Sequence, residues 1–425
     1  MKIHLDLDSF FISAERIKNP LLRNVPAAVG GRGDPFIFDR DGQRKVQNIQ
    51  DSHGAFAPSI FYDAKSGFEE YFVEGEKIRG IIITSSYEAR KFGIRTGMTI
   101  KEALDICPHL IVVPPNHLFY HAISSDLKRF LSRHIPILEQ FSIDEFFGDL
   151  HGWINEEETE KFLLHLQQTI QKEFDLPISI GAAHSKWTAK LATSFAKPHG
   201  IKVVRDVESF IENIPVHKFP GIGRGYLKRL QRYGITTLGQ TKEIEEIFYS
   251  WKKPGITLYK RIWGMDEEPV LTSHPKKSIG ISRTIDPVSD RNEIVRRLVT
   301  LSRYLAHSIL RHDLLPRHYY LSIKYDNGTK SKAHTIKHRK FSETLLKLTA
   351  IELFKKCDID PTASIVRLGL SCSRFGETQS YDIFHIQKDQ KMHALLQQAT
   401  KIRKRYGVNA IKWGIEMLRA EETAR

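Results

Sequence analysis

KIHLDLDSFFISAERI, residues 2–17, decides how the first part of the chain folds. Ile3, Leu5 and Leu7 alternate with His4, Asp6 and Asp8, a period of two that predicts a half-buried strand with carboxylates on its polar face. Ser9 stands where a helix N-cap would, ahead of FFISAERI, so the unit reads as strand, tight turn and helix. That turn places Asp6 near a cluster of backbone N–H groups.

Working outward, ILEQFSIDEFFGDL (137–150) alternates Ser142, Asp144 and Phe146 with Ile143, Glu145 and Phe147, which suits a strand or hairpin beside the first. Phe119, Ile123, Leu127, Phe130 and Leu131 fall at helical spacing, as do Phe162, Leu166, Ile170 and Phe174. PISIGAAHS (177–185) reads as a short strand leading into a helix through Trp187, Leu191 and Phe195. The prediction is an α+β domain, helices backing a sheet. From Val203 to Thr272 the chain turns helical, and FPGIGRGYLKRLQRYGITTLGQ (219–240) has the composition of two helices joined by a Gly-rich hairpin. SHPKKSIGIS (273–282) reads as a linker, and 283–425 as a separate α/β module with helical NEIVRRLVTLSRYLAHSIL and strand-like HYYLSIKYD and IVRLGLSCSRF.

A chain of 425 residues exceeds what one core organises, so about two to four domains are expected. No apolar stretch suits a signal peptide or a spanning helix, which implies a soluble cytoplasmic protein without membrane attachment. Cys107, Cys357 and Cys372 are odd in number and form no C-x-x-C pair, arguing for buried thiols over disulfides or zinc. The net charge of +14 is unevenly placed: Pro275–Arg425 holds 29 Lys and Arg against 15 Asp and Glu, and the preceding chain has 35 of each sign. A basic terminal third is the footprint of a polyanion grip or, more simply, a solvated face.

Phosphoryl transfer to a sugar hydroxyl uses cations held about 3.5–4 Å apart by carboxylates from separate strands. Asp6 with Asp144 and Glu145 offers three, provided the strands are neighbours; solvated surface acids are the plain alternative.

DLDSFFISAE (6–15), SSYEARKFGIRTGMTIKEALDICP (85–108), FSIDEFF (141–147), SFAKPHGIKVV (194–204) and FPGIGRGYLKRLQRYGITTLG (219–239) resemble, in order, the motifs of the bacterial Y-family translesion DNA polymerases of the DinB/UmuC, ImpB/MucB/SamB type. The resemblance implies an α+β multidomain right hand. Its palm would be 1–10 and 113–203, small fingers 11–112, a helical thumb with helix-hairpin-helix 204–272, a linker 273–282 and a little finger 283–425. It implies an error-prone, distributive polymerase serving DNA repair and damage tolerance. The enzyme would act as a monomer on primer-template DNA and dNTPs in the cytoplasm, at the nucleoid, with two Mg²⁺ ions, Mn²⁺ being an alternative.

Carried over residue by residue, Asp6, Asp144 and Glu145 are the catalytic metal ligands and Leu7 a backbone carbonyl donor. Asp8 is either a further ligand or a cap of the following helix. Phe11 matches the steric gate that excludes a 2′-hydroxyl, and Phe10 beside it matches the nucleotide pocket or packs in the core. Thr84, Tyr87, Arg90 and Lys197 match positions that hold the triphosphate; Arg90 could instead pair with Glu88 or Glu102. Gly221 and Gly223 leave N–H groups free for a DNA phosphate, with Lys228 and Arg229 just beyond. In the little finger, Lys332, Lys337, Arg339 and Lys340 form a basic run for DNA, and Gln379, Asp382, Ile383 and Phe384 resemble the short peptide that docks on a sliding clamp. Residues 32–79 look like an insertion that could cover the templating base, meet a partner or decorate the surface. The competing readings are a catalytically silent DNA-binding or clamp-docking accessory of the same fold, and a metal-dependent nuclease.

Overall fold

The alternation in residues 2–17 produces a central strand. In the computed structural model, which describes residues 1–33, 37–38, 67–273, 275–376 and 383–417, Ile3, Leu5 and Leu7 are at most 1% exposed. Residues 1–31 and 67–273 form one compact unit, and 275–376 and 383–417 form another together with 32–33 and 37–38.

The first unit begins β1 (Lys2–Leu7), α1 (Phe10–Lys18), β2 (Ala27–Gly31), α2 (Phe68–Phe72), β3 (Val73–Glu74), β4 (Lys77–Ile78) and β5 (Ile81–Ser85). It continues α3 (Tyr87–Lys91), α4 (Ile100–Ile106), β6 (Ile111–Val113), α5 (His117–His134), β7 (Ile137–Gln140), β8 (Glu145–Asp149) and α6 (Thr159–Phe174). Then come β9 (Ile178–Ala183), α7 (Lys186–Ala196), β10 (Ile201–Val203), α8 (Val207–Ile211), α9 (Arg224–Gln231), α10 (Glu245–Ser250) and α11 (Lys252–Ile262).

Two sheets matter for the site. The larger has strand order β10-β9-β1-β8-β7, so β1 lies between antiparallel β8 and β9; the smaller is β5-β2-β6. One face of the larger sheet, Ile3, Leu5, Leu7, Phe146, Ile178 and Ile180, packs with α5 and α6 residues such as Leu127, Leu131, Leu166 and Ile170. The opposite face takes α7, which sits so close over Gly181 that a Cβ there would meet the Ala189 carbonyl at 2.2 Å and the Thr193 nitrogen at 2.4 Å. Of the insertion stretch, residues 67–79 fold as α2 and the β3–β4 hairpin, with the Phe72 ring filling the space beside Gly30. Helices α8 to α11 enclose a separate small core around Phe219, Leu230, Phe248 and Ile262.

The second unit contains β11 (Ser278–Val288), α12 (Arg291–Arg311), β12 (Pro316–Tyr325), β13 (Lys330–Ile336), α13 (Glu343–Cys357), β14 (Ile365–Phe375) and α14 (Ile386–Tyr406). Its antiparallel sheet has order β11-β14-β12-β13. Tyr319, Leu321, Ile323 and Tyr325 on β12 point inward with Leu368, Leu370 and Cys372 on β14. The residues between them, among them Tyr320, Ser322 and Lys324, face out.

The linker expected at 273–282 is a correction: from Ser278 onward the chain is strand β11. Ile279 and Ile281 are 4% and 8% exposed, and burying them stabilises the strand more than the Ser and Gly between them favour a loop. All three cysteines are buried and free, as their number and spacing predict.

Gly181→Ala is expected to destabilise the first unit by roughly 1–3 kcal/mol, because the helix backbone above it has no flexible side chain to yield. A lowered melting temperature checks this, and a wild-type value would refute the close approach.

Candidate active site

Register is what assembles the acids. Asp6 on β1 lies directly opposite Glu145 on β8, and the Leu7 N–H donates to the Asp144 carbonyl at 3.0 Å, so the polar end of β1 meets the turn that starts β8. Directly opposed residues of an antiparallel pair share a face, so Asp6 and Glu145 both point to the side covered by α7. Ser142 shapes the turn: its hydroxyl accepts from the Glu145 N–H at 3.1 Å and donates to Asp144 Oδ1 at 2.5 Å.

Helix α7 supplies the counter-charge. Lys197, at its C-cap, donates from Nζ to Asp6 Oδ1 at 2.5 Å, and Lys190, two turns earlier, pairs with Glu145 Oε1. No motif in the sequence marks Lys190, although its seven-residue spacing from Lys197 puts both on one helix face. His4 lies under the same helix, hydrogen-bonded to Thr193 Oγ1 at 2.9 Å and 3.3 Å from Lys190 Nζ. Burial, then the nearby lysines, hold its imidazole well below the ordinary 6.5, so it is neutral.

Burial raises the Asp6 carboxyl from 3.8 to about 7; Lys197 opposes the rise, and the Asp144 and Glu145 charges add to it. Asp144 is also raised, by burial first, with the Ser142 hydrogen bond opposing. Crowded, desolvated carboxylates of this kind gain from cationic neighbours, and their oxygens suit a hard divalent ion. Among the described residues, however, no group of three or more His, Cys, Asp or Glu side chains is close enough together to hold a metal. Each carboxylate is turned to its own partner instead: Asp6 to Lys197, Asp144 to Ser142 and Glu145 to Lys190.

Asp8 does not cap α1, and that expectation is corrected. The carboxylate is 1% exposed and accepts from the Tyr87 hydroxyl at 3.1 Å, the Ser179 hydroxyl at 2.8 Å and the His199 N–H at 2.7 Å. Ser9 takes the N-cap position in a left-handed conformation, φ 49°, and its side chain makes no cap hydrogen bond. Asp8 thereby ties α3 to the strand end. Tyr87 and Arg90 share a face of α3, the guanidinium 4.7 Å from the ring and Nε donating to the Ser85 carbonyl at 3.1 Å. The alternative partners of Arg90 are engaged elsewhere, Glu88 with Arg16 and Glu102 with the Thr99 cap. Thr84 sits on β5, opposite Val29 of β2. Phe10 is 2% exposed in the core, while Phe11 is only partly buried and stacks on Tyr120.

Gly221 has φ +103°, a conformation that favours glycine, and Gly223 is the extended N-cap of α9. Lys228 and Arg229 are exposed, Arg229 lying 5.5 Å from the Trp251 ring. In the second unit, Lys332 is exposed on β13, but Lys337 pairs with Glu352 at 2.7 Å and Arg339 with Asp389 at 2.6 Å. Both therefore already have carboxylate partners, and Lys340 is half-buried. Gln379 and Asp382 lie outside the described residues; Ile383 opens a short 3-10 turn in which Phe384 is 90% exposed. No helix among the described residues is long and apolar enough to cross a membrane.

Two family models match the chain: the impB/mucB/samB family over residues 5–194, and its C-terminal domain over 276–383. A DNA polymerase IV of Streptococcus gordonii is 27% identical over 380 residues, covering 88% of this chain and 96% of the relative. One of Shigella flexneri is 29% identical over 335 residues, covering 76% and 83%. Among solved structures, a Y-family DNA polymerase chimera of Dbh and Dpo4 superposes with TM-score 0.69 at 21% identity, covering 89% of this chain and 99% of that one. DinB from Sulfolobus solfataricus gives 0.52 at 22% identity, covering 88% and 98%.

The raised Asp6 sets a pH dependence for chelator-treated, metal-free protein. The folded state holds the proton up to about 7 and the unfolded chain only to 3.8, so this group's contribution to stability is full below 3.8 and lost as pH rises through about 7. The melting temperature of Asp6→Asn relative to wild type is therefore expected to rise from pH 5 to pH 8. A constant difference would contradict the assignment.

Proposed function

Because the chain belongs to the impB/mucB/samB family, the Y-family DNA polymerases, we propose that it copies damaged templates by adding deoxynucleotides to a primer 3′-hydroxyl. The observation that carries this reading is the opposition of Asp6 and Glu145 on adjacent strands, with Asp144 at the turn and Lys197 above. A nuclease needs the acids but leaves Phe11, Tyr87 and Arg90 without a joint purpose.

Asp6, Asp144 and Glu145, with the Leu7 carbonyl, are the residues that would hold divalent ions, two Mg²⁺ or in their place Mn²⁺. When bound, such ions lower the pKa of the primer hydroxyl and take up charge at the leaving pyrophosphate. Each carboxylate would exchange its present partner for a cation, which frees Lys197 for the triphosphate. Lys197 and Arg90 then bring positive charge to the phosphate oxygens, and Tyr87, fixed through Asp8, orients the same group. The Phe11 ring lies beneath the sugar, where a 2′-hydroxyl would collide with it.

DNA is held by charge and shape, without base readout. Gly221 and Gly223 expose backbone at the start of α9, beside Lys228 and Arg229. On the second unit's sheet, Ser282, Gly369, Ser322 and Lys332 form one cross-strand row, and Thr284, Arg367, Lys324 and Lys330 the next. Small and basic outward residues leave room for a phosphate backbone along this face. The segment from Gln379 to Phe384 would dock a sliding clamp, Phe384 being its exposed anchor. The domain limits given by the resemblance are kept, with the linker ending before Ser278.

Primer extension with Mg²⁺ and dNTPs is expected to show elongation on undamaged and abasic templates, and none with Asp144→Ala. Primer shortening would favour the nuclease, and full-rate extension by Asp144→Ala would sink the metal assignment. Lys332→Ala is expected to weaken DNA binding alike for all sequences and to reduce the slope of log affinity against log salt by about one. An unchanged slope would remove Lys332 from the interface.

A further inference from the structure

Phe11, which the resemblance assigns to the nucleotide pocket, is packed among other rings. It lies on α1 next to Phe10, which is buried and fixed by the core, but it is itself only partly covered. Tyr120, on α5, stacks against one face with ring centroids 4.6 Å apart and planes inclined by 17°. His117, one turn earlier on α5, meets Phe11 edge-on at 6.2 Å and 88°, and Tyr120 edge-on at 5.9 Å and 80°.

The brace is tied at its far end. The Tyr120 hydroxyl donates to Glu15 Oε1 at 2.6 Å, and Glu15 stands four residues after Phe11 on α1, so one tyrosine holds two positions on the same helix face. Tyr120 is 0% exposed and cannot tilt without displacing its neighbours. An aromatic side chain has two rotatable bonds, and a half-exposed ring would sample several tilts. With one face covered by a buried ring, it offers the pocket only the other. Burial lowers the His117 pKa to about 4, so the edge it presents is neutral at working pH.

We infer that Tyr120 is a positioning residue for sugar selection: its stack fixes the height and tilt of the Phe11 ring and so sets how strictly a 2′-hydroxyl is excluded. This rests on the reading of Phe11 as the gate. In this role Tyr120 acts through Phe11, against whose ring it stacks. The hydrogen bond to Glu15 is secondary to the stack, since ring contact alone limits the tilt.

The test is single-nucleotide insertion on an undamaged primer-template, with kcat and KM measured for matched deoxy- and ribonucleotides. Tyr120→Ala and Tyr120→Leu, which remove the flat ring, are expected to lower the deoxy-to-ribo ratio of kcat/KM by about tenfold, chiefly through a lower KM for the ribonucleotide. Tyr120→Phe keeps the stack and is expected to hold the wild-type ratio. Adding Tyr120→Ala to Phe11→Ala should lower the ratio no further than Phe11→Ala alone. If Phe11→Ala lowers the ratio and folded Tyr120→Leu leaves it at wild type, the positioning role is overturned and the gate stands. If Phe11→Ala itself leaves the ratio unchanged, the gate reading fails and takes this inference with it. A Tyr120→Leu protein that loses both substrates equally marks a purely structural residue and also overturns it.

Discussion

Everything at the candidate site follows from setting like charges side by side where water is scarce. Asp6 faces Glu145 across one strand pair, with Asp144 at the adjoining turn, and burial alone would drive such a group toward its neutral forms. The fold answers with cations from a single helix: α7 brings Lys190 to Glu145 and Lys197 to Asp6. A third pair, Lys186 with Glu139 at 2.6 Å, is buried and lies at the start of that helix. Removing one member of such a pair costs far more than the pair contributes to stability, so the helix cannot shift without upsetting the acids.

That dependence explains why the sheet beneath α7 carries glycine and small residues. Gly181 admits the helix backbone, and the Thr193 hydroxyl of α7 donates to the His4 carbonyl at 3.1 Å and so accepts at His4 Nδ1, 2.9 Å away. The neutral imidazole fills the space between sheet and helix without adding charge to a crowded site. Asp8, two residues beyond Asp6, spends its charge on a tyrosine, a serine and a backbone N–H, which joins α3 to the same platform.

The second unit uses buried charge differently. Arg303 is 1% exposed and bonds Glu416 at 2.8 Å and the Val408 carbonyl at 2.8 Å; Arg403 pairs with Glu343, which also accepts from the Trp413 indole. These contacts fasten α14 and the turns after it to α12 and α13, beyond the end of the matched C-terminal domain at 383. The basic excess that marks this third of the chain is therefore of two kinds. Some of it is internal mortar, as in Arg303, Arg403 and Arg339, and some, as in Lys332 and Arg367, faces out. A charge count cannot separate the two, because pairing is decided by which carboxylates the fold brings near.

Local patterns in the sequence determined a good deal. The period of two in residues 3–7, the helical spacing from Phe119 to Leu131 and from Phe162 to Phe174, and the acidic dipeptide in FSIDEFF specify strands, helices and the presence of the acids, because side-chain direction along one element depends only on that element's own period. The same alternation in SIGIS forms a strand, but the Pro and Lys just before it give the stretch the composition of a linker. What only the tertiary structure decided is which elements meet. The pairing of Asp6 with Glu145, the place of Lys190 and Lys197 over them, the ties of Asp8 and the ring of Tyr120 under Phe11 join residues up to nearly two hundred positions apart. No local rule carries that information, because contact between distant segments is set by packing of the whole core.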